Sequence, residues 1–364
     1  MEAYSCIGRF YCAPGTRMNS PGIRHIRHIR HIDMNPSSSN ATLFGASGFI
    51  GSHVAAQLRL AGQPVITPVR RLQPLLQQLG TAQQIIDFND DAALIAVIPQ
   101  GAVVYCCLAN PRRHLSLEDL RAVEVRLTAR VIRAAAQAGA RRVVLLSTIM
   151  VYGFDRPPRP IDEHFPPQPS PSPHPFCRVA LEREQTAQQV AQAAGIDLQI
   201  LRPATAIGAR DQQIAKLIRS FRQGVFPRIG RENYRFSAID ARDIGRAMQL
   251  LGEIPVTTPA ESIWLATGFD TSWQELGQVL TTLTGRHAHT LPLPLPLARG
   301  LGALIETFCP YRWEPDLTRF SVDVMSTHTL FDSRRLAQAG FTPRYGLQDA
   351  LRDALGLPVE LESQ

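Results

Sequence analysis

Lysine is almost absent from this chain: Lys216 is the only lysine among 364 residues, and every other basic residue is arginine or histidine. Any mechanism that needs a lysine amine therefore has one candidate. The chain also lacks a long hydrophobic run, because three prolines and two glycines interrupt its most apolar tract, residues 291–305. A bilayer-spanning helix needs about 20 consecutive apolar residues, so we expect no membrane span.

Cysteine is scarce as well, with six residues and no C-x-x-C pair, and Cys106 and Cys107 lie inside an apolar segment. This usage is typical of reduced thiols rather than of a disulfide framework or a zinc site. We therefore expect a cytoplasmic protein with no metal site. The formal charge of +7 is diffuse, and part of it lies in the first 33 residues, so nucleic acid is not an expected partner.

Residues 1–33 do not have the pattern of a folded domain. Arg-His-Ile occurs three times between Arg24 and Ile32, and no apolar periodicity surrounds it. A signal peptide would need a continuous apolar segment, which is absent. We interpret residues 1–33 as a disordered basic extension or as the result of an upstream start codon, with Met34 the more natural start. A transit peptide and a metal-binding tract are the alternatives.

The stretch from Leu43 to Gly51 contains glycines at every third position, Gly45, Gly48 and Gly51, between a short apolar run and a helical pattern. A dinucleotide-binding turn requires this strand, glycine turn and helix. The first glycine allows the tight turn, the second lets the backbone approach a pyrophosphate, and the third lets the helix pack close to the strand. A plain glycine-rich loop is the alternative interpretation.

Apolar strands and helical segments alternate from residue 41 onward, which is typical of a parallel sheet covered on both faces. Six strands are predicted, and the central ones are almost entirely apolar. The fold class expected is α/β, a doubly wound parallel Rossmann sheet with a smaller C-terminal substrate lobe. We predict a Rossmann domain at residues 34–205 and the lobe at 206–364, with some of its segments returning to the Rossmann core.

The end of the second predicted strand bears on the choice of cofactor. An acidic residue at this place binds the ribose 2′-hydroxyl of NAD, whereas arginine suits the 2′-phosphate of NADP. Here Arg70 and Arg71 follow Val69, which favours NADP(H) over NAD(H). After the third strand, Asp87 and Phe88 could bracket the adenine, although Asp is also an ordinary residue at the start of a loop.

Several further segments, in this order and spacing, resemble the extended short-chain dehydrogenase/reductase family, specifically its epimerase/dehydratase group and 3β-hydroxysteroid-dehydrogenase-like branch. They are the glycine turn, Val103–Ala109, Leu146–Gly153, Leu201–Pro203, Phe236–Ile244 and Phe331–Pro343. The resemblance runs from about Asn40 to Leu355. Together with the strand ends it predicts these cofactor-binding residues: Gly45, Ser47, Gly48, Phe49, Ile50, Gly51, Arg70, Arg71, Asp87, Phe88, Cys107, Leu108, Ala109 and Pro203.

The family's catalytic residues are a Ser/Thr and a Tyr-x-x-x-Lys pair on one helix, in which the tyrosine transfers a proton and the lysine lowers its pKa. The resemblance places Thr148 at the Ser/Thr position, but Phe176 and Ala180 stand where tyrosine and lysine are expected. No tyrosine has a lysine four residues later; Tyr152 has Arg156 at that spacing. The acid and the group that tunes it are both missing, and a positioned acid is worth about 10² to 10⁴ in rate.

Two classes of function follow from this departure. The chain is either a nicotinamide-dinucleotide-binding protein that has lost the family's catalysis and serves as a cofactor-dependent sensor or subunit, or an oxidoreductase or epimerase on a sugar-nucleotide or sterol-like substrate. The second would use Thr148, Tyr152 or His174 as its acid, although a histidine in a loop is more often just exposed. A small-molecule substrate and a homodimer are left open.

Two further regions carry expectations. The loop from Tyr152 to Phe176 is rich in proline, cannot be helical, and is expected to be an extended surface segment, either a substrate-side flap or a partner-binding segment. The tract from Leu291 to Tyr311 resembles the apolar C-terminal region of the 3β-hydroxysteroid branch. Core packing is the simpler explanation of its leucines, with a lipophilic substrate or weak membrane contact as alternatives.

Overall fold

The computed structural model describes residues 40–110, 116–167, 174–230, 233–255, 261–309 and 315–358. The predicted extension at residues 1–33, the cysteines at positions 6 and 12, and residues 168–173 of the proline-rich loop lie outside these ranges. All structural statements below concern the described residues.

The strands, numbered in chain order, are β1 Ala41–Phe44, β2 Val65–Val69, β3 Ala82–Ile85, β4 Val103–Cys106, β5 Arg142–Leu146, β6 Asp197–Pro203, β7 Thr205–Ile207, β8 Val225–Ile229, β9 Arg235–Asp240, β10 Ile263–Ala266, β11 Phe269–Ser272 and β12 His289–Leu293. The helices are α1 Phe49–Leu60, α2 Pro74–Gln78, α3 Asp91–Ala96, α4 Leu117–Arg121, α5 Thr128–Gln137, α6 Pro175–Ala194, α7 Gln212–Arg222, α8 Ala241–Glu253, α9 Trp273–Thr284, α10 Leu295–Phe308, α11 Arg319–Met325, α12 Arg334–Gln338 and α13 Leu347–Leu355. A π-helical turn, Ala122–Leu127, joins α4 to α5, and Ile149–Tyr152 is a 3₁₀ turn.

Seven parallel strands form the central sheet in the order β10-β6-β5-β4-β1-β2-β3. This is the strand order of a doubly wound Rossmann fold, so the predicted fold class is confirmed. The sequence prediction of six strands was incomplete, because β10 adds a seventh beside β6. Strand β10 is only four residues long and lies far along the chain from the other strands of this sheet. It is recognised as a strand of the sheet by its pairing with β6.

Alternate residues of each central strand bury into opposite layers. In β4, Val103 and Tyr105 face the layer formed by α1 and α8, whereas Val104 and Cys106 face the layer that contains α5 and α6. Side chains on a strand alternate between the two faces of the sheet, so an apolar strand with helices on both sides must be buried throughout. This arrangement explains why the central strands carry almost no polar residues.

The chain after residue 205 contributes to both parts of the molecule. Helix α8 packs on α1, where Gly245 allows the close approach because a Cβ there would lie 2.8 Å from the His53 carbonyl oxygen. The remaining C-terminal elements form a second core around β7, β9, α7, α9 and α13. The division at residues 205 and 206 stays a prediction, and α8 and β10 are segments that lie in the Rossmann layers.

Two local expectations were wrong. The proline-rich loop was expected to be non-helical as far as Phe176, but α6 already begins at Pro175, because proline at the first position of a helix has a compatible φ and needs no donor. Core packing does not explain most leucines of α10: Leu297 and Leu304 are 53% and 55% exposed. The helix instead buries its small residues, and a Cβ on Gly302 would lie 2.9 Å from the Arg319 backbone nitrogen.

Candidate functional site

The residues predicted to bind a dinucleotide lie along one edge of the central sheet. They follow the carboxyl ends of β1, β2, β3 and β4, and Pro203 ends β6. Parallel strands place their carboxyl ends on the same side, and ligands of doubly wound folds bind at that edge. The tertiary structure therefore brings together residues that are up to 158 positions apart in sequence (Gly45 to Pro203).

The glycine turn has the close contacts that a dinucleotide-binding turn requires. Gly45 has φ +80°, and a Cβ there would overlap the carbonyl of Cys107 at the end of β4. A Cβ on Gly51 would likewise overlap the Gly45 carbonyl. Gly48 is the N-cap of α1, and both Ser47 and Gly48 are exposed. The helix N-terminus is thus open to an anion, and these residues fit a pyrophosphate.

The remaining predicted contacts differ in accessibility. Arg70 and Arg71 are exposed after β2. Asp87 is exposed and accepts a hydrogen bond from the Asn89 backbone (2.9 Å), whereas Phe88 packs edge-on against Phe44. Around the end of β4, Cys107 and Leu108 are buried and Ala109 is exposed.

The site helix α6 carries Phe176 and Ala180 one turn apart, as predicted. Ala180 is buried, and both residues belong to an apolar cluster with the 3₁₀ turn and Phe331. The Phe176 ring also packs against Phe320 of α11, a residue from the C-terminal part of the chain. Apolar side chains therefore occupy these two positions of α6, which the sequence resemblance predicts to be the family's tyrosine and lysine positions.

Thr148 caps the 3₁₀ turn, and its hydroxyl oxygen accepts a hydrogen bond from the Met150 backbone nitrogen at 3.3 Å. Thr148 itself is half-buried. The hydroxyl keeps its own hydrogen for a further bond, because it acts only as an acceptor in this cap.

His174 was expected to be exposed, and this expectation was wrong: the residue is 4% exposed. Its Nε2 lies 2.8 Å from the Asp323 Oδ2, and its ring packs edge-on against Phe154 and Phe320. Asp323 also accepts hydrogen bonds from Arg299. Burial opposes ionisation of Asp323, but the bonds from His174 and Arg299 prevail and lower the pKa of its carboxyl.

A buried ionic network lies behind the apolar cluster. Arg202 donates to both carboxylate oxygens of Glu184, with Nη2 and Oε2 2.6 Å apart, and both side chains are 2% exposed. Arg202 Nη1 also donates to the Tyr152 hydroxyl (2.7 Å), and Ser147 donates to Glu184. Each polar group of this network is thereby satisfied inside the protein.

Tyr152, one of the three candidate acids, is part of this network. Its side chain is fully buried, its hydroxyl accepts from Arg202, and that hydroxyl donates to the Asp162 carbonyl over 3.4 Å. Burial raises the pKa of Tyr152 to about 12, although Arg202 opposes the shift. These contacts indicate a structural role for Tyr152, because its hydroxyl accepts a hydrogen bond from the same Arg202 side chain that pairs with Glu184.

Lys216 lies on α7 of the C-terminal lobe. Its Nζ is 3.3 Å from Asp316 Oδ1 and 3.5 Å from the Pro315 carbonyl oxygen, and its side chain is 21% exposed. The amine therefore contacts the segment before α11.

Sequence reasoning missed Phe320, Asp323 and the function of Arg202. The Leu-Arg-Pro segment was a recognisable signal for Arg202, but nothing in its spacing identifies Glu184 as the partner. Phe320 and Asp323 lie 146 and 149 residues beyond His174 and carry no local signal. In the described part of the chain, no helix is long and apolar enough to cross a membrane, and no three potential ligands cluster around a metal position.

The family model described as the NAD-dependent epimerase/dehydratase family matches residues 41–264. Among solved structures, the UDP-glucuronic acid 4-epimerase of Bacillus cereus, in complex with UDP-glucuronic acid and NAD, is similar with a TM-score of 0.68 and 18% identity, covering 87% of this chain and 98% of that one. At this identity the likeness supports the fold alone.

Two curated relatives are the chloroplastic divinyl chlorophyllide a 8-vinyl-reductases of Oryza sativa subsp. indica and Zea mays. They are 31% and 35% identical over 129 and 130 residues, which is 32% of this chain in both cases. The match spans about a third of the relatives' own length, 31% and 32% respectively. Because the family model covers more than half of the sequence, the chain belongs to the NAD-dependent epimerase/dehydratase family.

Proposed function

We propose that this protein binds NADP(H) and has lost the ordinary proton-transfer chemistry of its family, so that it serves as a cofactor-dependent sensor or subunit. The observation that carries the proposal is the packing of Phe176 and Ala180 in an apolar cluster with Phe320. Phenylalanine has no ionisable proton and alanine no charge, so the two groups that would transfer and tune the proton are absent.

The binding half of the proposal rests on the glycine turn and on Arg70 and Arg71. The turn would receive the pyrophosphate at the N-terminus of α1. The two exposed arginines follow β2, where the adenosine ribose of a dinucleotide lies in this fold, and their charge suits a 2′-phosphate. The cofactor, when bound, supplies or accepts a hydride, and the residues of this chain would bind and orient it.

Titration with NADPH and NADH, followed by the fluorescence of the reduced nicotinamide, tests this half. We expect tighter binding of NADPH. Equal affinities or a preference for NADH would contradict the inference that Arg70 and Arg71 favour NADP(H). If neither NADPH nor NADH binds, the proposed function is rejected. Assay of the same protein on sugar-nucleotide and sterol alcohols should detect no turnover at an ordinary enzymatic rate.

A second candidate is a nicotinamide-dependent reductase that uses His174 as its acid. The buried contact between His174 and Asp323 favours it, as does the similarity to relatives named as 8-vinyl-reductases. In such a reaction a hydride from the cofactor would form one new C–H bond and the imidazolium would supply the proton for the second. His174→Gln should then abolish the turnover of a reducible substrate while leaving NADPH affinity within about twofold.

We propose a cytoplasmic location on the basis of the buried thiols of Cys106, Cys107 and Cys177, whereas the two plant relatives are named as chloroplastic proteins. A small-molecule substrate and a homodimer stay predictions. Sedimentation of the purified protein with and without NADPH would test the dimer.

A further inference from the structure

Arg210, in the loop between β7 and α7, reaches the glycine turn from the C-terminal part of the chain. Its Nη2 donates a hydrogen bond to the Ser47 carbonyl oxygen over 2.7 Å, although the two residues are 163 positions apart in sequence. Both residues are exposed, so a ligand in solution has access to this contact. The Arg210 guanidinium therefore lies beside the segment to which the proposed function assigns the pyrophosphate.

The first turn of α1 has neither a side-chain cap nor a negative charge of its own. Its N-cap is Gly48, and the turn contains no acidic residue. The first backbone N–H groups of a helix have no partner within the helix, and the positive end of its dipole favours an anion. That end is equivalent to only about half an elementary charge, whereas a pyrophosphate carries a negative charge on each phosphate. A neighbouring cation would complete the neutralisation.

The loop that carries Arg210 is held beside this turn through Ala209. The Ala209 carbonyl oxygen lies 3.2 Å from Nε2 of His53 on α1, and its backbone nitrogen donates to Asp353 Oδ2 of α13 over 2.7 Å. Burial lowers the pKa of His53, and since a carbonyl oxygen only accepts, the neutral imidazole carries its hydrogen on Nε2. Both backbone polar groups of Ala209 are thus paired, and Arg210 extends from a fixed backbone.

The backbone of Arg210 adopts a conformation that favours glycine. Its φ is +75°, and no other residue except glycine has a positive φ in the part of the chain that the structure describes. A Cβ is disfavoured in this left-handed region, whereas glycine adopts it without strain. Strained residues of this kind cluster at ligand contacts. The presence of arginine at this position therefore indicates a function for its side chain.

We propose that Arg210 is a ligand of the dinucleotide pyrophosphate, supplied by the C-terminal lobe to the N-terminus of α1. The inference rests on the proposed binding of NADP(H) and adds one residue to it. A guanidinium presents several N–H donors in a planar fork that suits phosphate oxygens, and this one already lies at the Ser47 carbonyl. The bound cofactor is then held between the Rossmann domain and the loop at residues 208–210.

Calorimetric titration of four proteins tests the proposal: the natural chain, Arg210→Gln, Arg210→Lys and, as a matched control, Arg222→Gln, which changes an exposed arginine at the end of α7. Glutamine keeps an N–H donor for the Ser47 carbonyl but removes the charge. Each protein is titrated with NADPH, with 2′-phospho-ADP-ribose, which lacks only the nicotinamide, and with adenosine 2′-monophosphate, which lacks the pyrophosphate as well.

Arg210→Gln should weaken NADPH binding about tenfold, the low end of the range for losing hydrogen bonds to a charged group, because the residue is exposed. The affinity for 2′-phospho-ADP-ribose should fall by the same factor, and that for adenosine 2′-monophosphate should stay within about twofold. Arg210→Lys should lose less, and Arg222→Gln should bind all three probes as the natural chain does. The loss in Arg210→Gln should shrink at about 1 M salt, where charges are screened within about 3 Å.

Unchanged NADPH affinity in Arg210→Gln would overturn the inference while leaving the proposed function intact. A loss for NADPH alone would also overturn it, since the arginine would then act at the nicotinamide, and an equal loss for all three probes would report a general change of the site. If the natural chain binds neither NADPH nor NADH, the proposed function itself fails, and this inference fails with it.

A second variant, Arg210→Gly, separates binding from folding. Glycine relieves the left-handed backbone, so urea unfolding of the ligand-free variant should show stability that is unchanged or higher than that of the natural chain. The same variant should bind NADPH and 2′-phospho-ADP-ribose about tenfold more weakly. Lower stability together with unchanged affinity for both probes would assign Arg210 to the structure alone and overturn the inference.

Discussion

The Phe176 ring packs edge-on against the Phe320 ring, with 5.7 Å between the centroids and 81° between the planes. One ring stands at the start of α6 and the other on α11, so the contact joins the Rossmann domain to the C-terminal part of the chain. It fixes the ring of the residue that the sequence resemblance predicts to stand at the family's tyrosine position.

Restoring both missing groups should restore family chemistry. We expect Phe176→Tyr with Ala180→Lys to give NAD(P)-linked turnover on a panel of sugar-nucleotide and sterol alcohols, about 10² to 10⁴ above the natural chain, the worth of a positioned acid. Each single variant is the control, because the phenol without the lysine is not tuned. Ordinary turnover by the natural chain on any panel member would contradict the loss of catalysis and assign the acid to another residue.

Selectivity for NADP should depend on the two arginines after β2. Changing both Arg70 and Arg71 to alanine should weaken NADPH binding about tenfold or more, because a phosphate loses charge-assisted hydrogen bonds, while NADH binding should change little. Arg133→Ala, at an exposed position of α5, is the matched control. Fluorescence titration measures both affinities, and a parallel loss for NADH would show that these side chains do not recognise the 2′-phosphate.

Breaking the buried pair should be costly. We expect Arg202→Met to lower the free energy of unfolding by about 3 to 5 kcal/mol, because it leaves the Glu184 carboxylate buried and unpaired. Glu118→Gln, which removes the exposed ion pair with Arg126, should cost less than about 1 kcal/mol. Urea unfolding measures both, and the combined Arg202→Met with Glu184→Leu should cost less than the sum of its parts.

Asp323 should stabilise the fold in a pH-dependent manner. Its hydrogen bonds from His174 and Arg299 hold the folded-state pKa below the unfolded value of about 3.9. A carboxyl whose pKa is lower in the folded state stabilises the fold at pH values above its unfolded-state pKa. This stabilisation is lost as the pH falls through the folded-state pKa. Asp323→Asn should therefore be less stable than the natural chain at pH 6, and the difference should shrink below pH 4. A constant difference by urea unfolding across this range would contradict the assignment.

The glycine turn offers a test that separates backbone strain from close contact. Gly45 and Gly62 have similar φ values, +80° and +75°, but a Cβ meets the Cys107 carbonyl at Gly45 and nothing within 4 Å at Gly62. Gly62→Ala should cost about 1 to 2 kcal/mol from the left-handed backbone. Gly45→Ala should cost about 1 to 3 kcal/mol more from the overlap, as measured by urea unfolding, and should also weaken NADPH binding.

The sequence by itself determined the features that depend on neighbours in the chain. The spacing of Gly45, Gly48 and Gly51 predicted a turn between a strand and a helix, because the steric demands of that turn are local. The apolar strands predicted a sheet covered on both faces. The family resemblance, rather than spacing alone, predicted that Phe176 and Ala180 stand at the tyrosine and lysine positions. The end of the proline-rich loop was misplaced, because Pro175 and Phe176 were assigned to the loop although they begin α6.

Only the tertiary structure decided the contacts between distant segments. β10 is recognisable by its pairing with β6, the burial of His174 depends on Phe320 and Asp323, and Glu184 becomes the partner of Arg202 only when α6 lies against the sheet. Burial and pairing arise from the packing of whole layers, and no local pattern in the chain encodes them.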